Sequence, residues 1–257
     1  MIKRSYLLAH VMGIPIRVHI TLVILLIWAA VEFGFSGILF TSGVFISVAI
    51  HELGHSWVAI RKGCRVHEII LLPIGGIAKM ERIPTQPKDE FLVAAAGPAT
   101  SLLLAGLFLL LAGGGPLREF FDYLKVINLT LCLFNLLPAF PMDGGRIFRA
   151  FMAPRIGRLK ATELAARIGR IMAVAGGIFG LLNGRFLLIL IAIFIYRAAG
   201  AEYRAVYMQQ MSRDWLTAEQ ADIEVSPPPY ARRASPLWKK WENKADAFFD
   251  NLFKHRK

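Results

Sequence analysis

The sequence predicts an α-helical polytopic membrane protein of about six transmembrane helices, with a short β-hairpin or re-entrant loop after the second. Three observations carry this reading. Hydrophobic residues fill 56% of the 257 positions and the mean hydropathy is +0.51, too apolar for a soluble domain of this size. Apolar runs near the roughly 20 residues needed to cross a bilayer recur along the chain. Finally, the net charge of +12 gathers between and after those runs, so the high isoelectric point reads as basic loops beside a membrane, and no nucleic-acid partner is expected.

Residues 1–18 form an N-terminal cytoplasmic or interfacial segment. "MIKR" would suit a signal peptide, but Pro15, Arg17 and His19 interrupt the apolar run and no small-residue cleavage site precedes the next one, so the segment is expected to be retained. Alternating Ile14, Ile16 and Val18 suggest a short strand. The transmembrane domain occupies 19–200, with spans at about 19–35, 39–60, 90–112, 120–140, 168–183 and 186–200. Between the second and third spans, "LLPIGGIAKM" is a Gly/Pro-rich loop suited to a turn or hairpin. The last two spans are short and separated only by "NGR".

Charge tests this segmentation independently. Lys3, Arg4 and Arg17 precede the first span; Arg61, Lys62, Arg65, Lys79, Arg82 and Lys88 follow the second; Arg146, Arg149, Arg155, Arg158, Lys160, Arg167 and Arg170 follow the fourth. The opposite side receives only Arg118, Lys125 and Arg185. Six spans with both termini cytoplasmic therefore put nearly all basic residues on the inner face. Compactness and the lack of a targeting segment suggest a bacterial cytoplasmic membrane.

Beyond the spans, 201–235 is expected to be a cytoplasmic linker, polyproline-like through "SPPPYARRASP". At 236–257, Trp238, Trp241, Ala245, Phe248, Phe249, Leu252 and Phe253 share one helical stripe, with Lys239, Lys240 and Lys244 off it. That basic amphipathic helix fits contact with the inner leaflet, or docking on the membrane domain or a partner. Cys64 and Cys132 fall in a loop and in a span, so no disulfide framework is implied.

The segment "SVAIHELGHSWVAI" places ionisable groups inside an apolar run, where they are costly and usually mark function. On a helix, His51 and His55 lie one turn apart on one face and can ligate one metal ion, with Glu52 placed to act on water at that metal. This is the H-E-x-x-H pattern of zinc peptidases. The bland alternative is polar groups hydrogen-bonding between helices. A catalytic zinc site needs a third protein ligand and leaves one position open. Asp143 is the only acid in "NLLPAFPMDGGRIFRA", where the fourth span ends on the same side; Pro138 and Pro141 break the helix before it, and Gly144 and Gly145 loosen the chain after it. Asp143 could instead be the N-cap of the next segment. His19 is more readily an interfacial hydrogen-bonding group than a ligand, and His10 and His67 read as surface residues.

These residues resemble the site-2 protease family of intramembrane zinc metalloproteases, peptidase family M50. The second stretch is similar to that family's N-x-x-P-x-x-x-x-D-G pattern at Asn135, Pro138, Asp143 and Gly144. "GPATS" is similar to its G-x-x-x-(N/S/G) motif at Gly97 and Ser101. The resemblance spans about residues 10 to 200 and lacks the PDZ and CBS domains of some members. It implies one Zn2+ per chain on His51, His55 and Asp143, Glu52 as catalytic base, and a site within the membrane near the cytoplasmic face. It also implies a substrate-binding strand at Gly75 and Gly76, where the residues alone indicate only a loop.

The expected activity is hydrolysis of a peptide bond in or near the transmembrane segment of a single-span partner, within regulated intramembrane proteolysis. Asn135 could hydrogen-bond the substrate backbone or oxyanion, or equally a neighbouring helix. A catalytically silent scaffold is one competitor, although loss of catalysis would leave Glu52 without a purpose. A metal transporter is another, disfavoured because the spans offer few polar residues to form a path.

Overall fold

The computed structural model describes residues 5–81, 84 and 86–222, with side chains through residue 216. The chain divides into two compact units, 1–207 and 208–257, and the site lies in the first. The expected amphipathic helix at 236–257 falls outside the described residues.

Two strands open the chain, β1 (Ser5–Val11) and β2 (Ile14–His19). Met12 and Gly13, both with positive φ (54° and 78°), close a two-residue turn whose handedness matches the strand twist. Two more strands, β3 (Val66–Leu72) and β4 (Gly75–Met80), form the second hairpin. The sheet order is β1-β2-β3-β4, with β2 and β3 parallel through Ile16↔Ile69 and Val18↔Leu71. The segment 71–80 is thus a hairpin within a larger sheet, and β4 is an edge strand.

Helix α1 runs Ile20–Arg61, with His19 as its N-cap: the Nδ1 atom accepts from the Thr21 amide. It is not straight. Gly34 takes φ 61°, ψ −146°, and a Cβ on Gly37 would lie 2.1 Å from the Ala29 carbonyl oxygen. Leu22 and Phe45 share one core cluster with Ile14, Ile16, Val48, Ala49, Ile69 and Leu71, although a straight helix would separate them by about 34 Å. The chain therefore doubles back at Gly34, so α1 contains both of the first two expected spans, and its second half packs on the sheet.

Helix α2 (Pro87–Leu111) starts with Pro87 in its first turn and Asp89 and Glu90 near its positive end. It approaches α1 closely, since a Cβ on Gly54 would meet Thr100 Oγ1 at 2.2 Å. Helix α3 (Arg118–Asn135) is tied to α1 by the buried Asn128, whose Nδ2 donates to Ser47 Oγ at 2.9 Å. A proline-bearing loop leads into α4 (Asp143–Ile156), and α5 (Arg158–Leu182) and α6 (Phe186–Asp222) follow.

Among the described residues, four helices are long and apolar enough to cross a membrane: α1, α2, α5 and the Phe186–Leu216 part of α6. The expected fourth span corresponds to α3, which has 18 residues and carries Arg118, Glu119, Asp122 and Lys125, so it falls short by composition. Two further expectations are corrected. Helix α6 continues to Asp222, through residues read as the start of a linker, because no glycine or proline lies between Gly200 and Pro227 to stop it. Arg149, grouped with loop charges, is fully buried in α4.

Candidate metal centre

The second half of α1 brings His51, Glu52 and His55 to its junction with α2, α4 and the sheet. His51 and His55 are 3% and 6% exposed. One turn apart, they converge until their Nε2 atoms are 3.2 Å apart. Asp143 is the first residue of α4, whose N-cap is Met142. Its Oδ2 atom lies 3.3 Å from His51 Nε2 and 3.0 Å from His55 Nε2.

This triangle fits a metal ion. A tetrahedral zinc with nitrogen and oxygen bonds of about 2.0–2.1 Å separates its ligand atoms by about 3.3 Å. The outer ring nitrogens strengthen the case. His55 Nδ1 lies 2.7 Å from the Val93 carbonyl oxygen; a carbonyl only accepts, so Nδ1 carries the proton and Nε2 presents a lone pair to the centre. His51 Nδ1 is held by Ser101 Oγ at 2.8 Å. Lone pairs and a carboxylate converging in a buried space suit a cation held between them.

Two glycines make room. A Cβ on Gly97 would stand 2.1 Å from His55 Nε2 and 2.7 Å from His51 Nε2, so α2 forms the floor of the centre. A Cβ on Gly76 would meet Glu52 Cγ at 2.5 Å, so the Glu52 side chain lies directly against β4. Gly75, with φ 136°, opens that strand where only glycine is comfortable. Asn135 ends α3 half-buried.

The structure thus brings His51, His55 and Asp143 together and sets Glu52 beside Gly76. His10 and His67 are exposed. Cys64 and Cys132 are free thiols, and burial, then Asp89, pushes the Cys64 thiol above its usual range. Sequence reasoning missed the orienting role of Val93, a main-chain acceptor with no sequence signal, and reached Ser101 only as part of a motif.

The family model for peptidase family M50 matches residues 39–114 and 111–176. A zinc metalloprotease of Methanocaldococcus jannaschii is 37% identical over 98% of this chain and 73% of its own length. A putative zinc metalloprotease of Synechocystis is 38% identical over 72% of this chain, and the putative zinc metalloprotease Rip3 of Mycobacterium tuberculosis is 38% identical over 64%. The match spans about half of each of these two, 52% and 46%. Among solved structures, the site-2 protease from Methanocaldococcus jannaschii superposes with a TM-score of 0.61 at 38% identity, covering 77% of this chain and 95% of that one.

Proposed function

This chain belongs to peptidase family M50 as a membrane zinc metalloprotease of the site-2 type, and from that premise we propose that it hydrolyses a peptide bond in or near the transmembrane segment of a single-span partner. The observation that carries the reading is the convergence of His51 Nε2, His55 Nε2 and Asp143 Oδ2 on one point, with Glu52 on the next residue of the same helix. In this assignment the three side chains hold zinc. Bound there, a zinc ion would supply Lewis acidity, able to lower the pKa of a water and to polarise the scissile carbonyl.

The rest falls to the chain. Glu52 takes the proton from the attacking water and passes it to the leaving amide nitrogen, which balances the hydrolysis without another acid. Substrate must arrive extended, because a helical segment hides its carbonyls in its own hydrogen bonds. The edge strand β4 offers main-chain groups for one more strand, and Gly75 and Gly76 let that strand run close to Glu52. Asn135, at the end of α3, is proposed to hydrogen-bond the substrate backbone. In the cell the site faces the inner side of a bacterial cytoplasmic membrane, with six spans, both termini cytoplasmic and a role in regulated intramembrane proteolysis.

The test is cleavage of a tethered single-span substrate co-reconstituted in liposomes. Wild type should release the soluble fragment, and Glu52→Gln should lose about 10²–10⁴-fold in rate while keeping its zinc. Undiminished cleavage by Glu52→Gln would refute the base assignment.

A further inference from the structure

We infer that Arg149, gripped by Glu90, is a positioning residue for the metal centre, an inference that rests on the ligand assignment proposed above. Arg149 is fully buried, and each of its three guanidinium nitrogens donates to a carboxylate. Its Nε donates to Glu90 Oε1 at 2.7 Å, its Nη2 donates to the same oxygen, and its Nη1 donates to Glu202 Oε1 at 3.0 Å. Arg158 Nη1 lies 3.3 Å from the second Glu90 oxygen. Two arginines and two glutamates thus form one cluster that spans α2, α4, α5 and α6.

The cluster reaches the metal site from two directions. On one side the Arg149 guanidinium lies 4.9 Å over the ring of Phe140, itself 1% exposed and three residues before Asp143. The Phe140 amide donates to the Ala165 carbonyl, and its own oxygen sits where a Cβ on Gly169 would be. The loop that presents the carboxylate is therefore clamped between α4 and α5. On the other side Glu90 lies one turn before Val93, whose carbonyl orients His55. A single ion cluster thus fixes the carboxylate-bearing loop relative to the helix turn that sets the imidazole.

Stability alone does not explain it. Well-packed apolar residues of similar volume generally replace a buried ion cluster without loss. What apolar packing would not supply is directional bonds that hold two metal-binding segments in register. Groups bonded directly to a metal ligand typically alter affinity by about 10–100-fold when removed; Arg149, which acts through Phe140 and Glu90, stands further out and should alter it less.

The experiment measures zinc affinity of the full-length chain in detergent by chelator competition, with the visible spectrum of the cobalt-substituted protein as a geometric readout. Wild type, Arg149→Met, Arg149→Lys and Asp143→Ala are compared, with circular dichroism as the folding control. Arg149→Met should bind zinc more weakly by up to about 10-fold, below the range for a direct partner of a ligand, and shift the cobalt bands, and Arg149→Lys should lose less. A folded Arg149→Met with wild-type zinc affinity and cobalt spectrum overturns the inference. If Arg149→Met does not fold, the same criterion applies to Arg149→Lys. Asp143→Ala that binds zinc as tightly as wild type would sink the ligand assignment itself, a failure distinct from that of the positioning role.

Discussion

At the scale of single residues, the centre depends on what is missing as much as on what is present. Gly97 leaves the space that the two imidazoles occupy, and a Cβ there would overlap His55 Nε2 at 2.1 Å. Gly97→Ala should therefore lose zinc, whereas Gly106→Ala, which meets nothing within 4 Å, should keep it; metal analysis of the two purified variants is the check. Ser101→Ala removes the partner of His51 Nδ1 and should weaken zinc binding by about 10–100-fold, read by chelator competition. His51, Glu52, His55 and Asp143 were legible in the sequence because ionisable groups inside apolar runs are costly enough to need a purpose. Arg149 and Glu90 were not, since a charge reads as a loop charge until its partner is known, and that partner lies 59 positions away.

At the scale of elements, the reversal within α1 and the exposed edge of β4 shape the site. Gly34 holds φ 61°, ψ −146°, a region that costs other residues about 1–3 kcal/mol. Gly34→Ala should lower stability by that amount in denaturant titrations while leaving zinc content intact. On β4, Gly76→Ala would push its Cβ to within 2.5 Å of Glu52 Cγ. Because that carboxylate sits on a flexible stem, it should move rather than the strand, and a displacement of this kind can cost about 10²-fold in rate. Cleavage rate and zinc content, measured on the same preparation, separate displacement of the base from loss of the metal. The long apolar helices were legible from length, β2 from alternation and the turn of the second hairpin from its glycines, whereas β1 and the short helix α4 were not. The parallel pairing of β2 with β3, 53 positions apart at Ile16↔Ile69, was not legible either, because neither strand records its distant neighbour.

At the scale of the whole molecule, one small sheet and the ends of three helices are brought to a single point inside an apolar bundle. The proposed topology puts the loop after α1 on the cytoplasmic side. Cys64 lies half-buried in that loop and Cys132 is buried in α3, so a membrane-impermeant maleimide should label Cys64 in inside-out vesicles and not in right-side-out ones. Because burial raises the Cys64 pKa from 9.0, labelling should still be quickening as pH rises past 9, where its thiolate fraction continues to grow. Labelling only in right-side-out vesicles would reverse the orientation. The most direct test of the central claim is zinc per chain in purified wild type, His51→Ala, Asp143→Ala and Glu52→Gln. Near-stoichiometric zinc in wild type and Glu52→Gln, with loss in the other two, is the predicted result. Wild type that takes up no zinc when supplied with it, or ligand variants that retain it fully, would contradict the account.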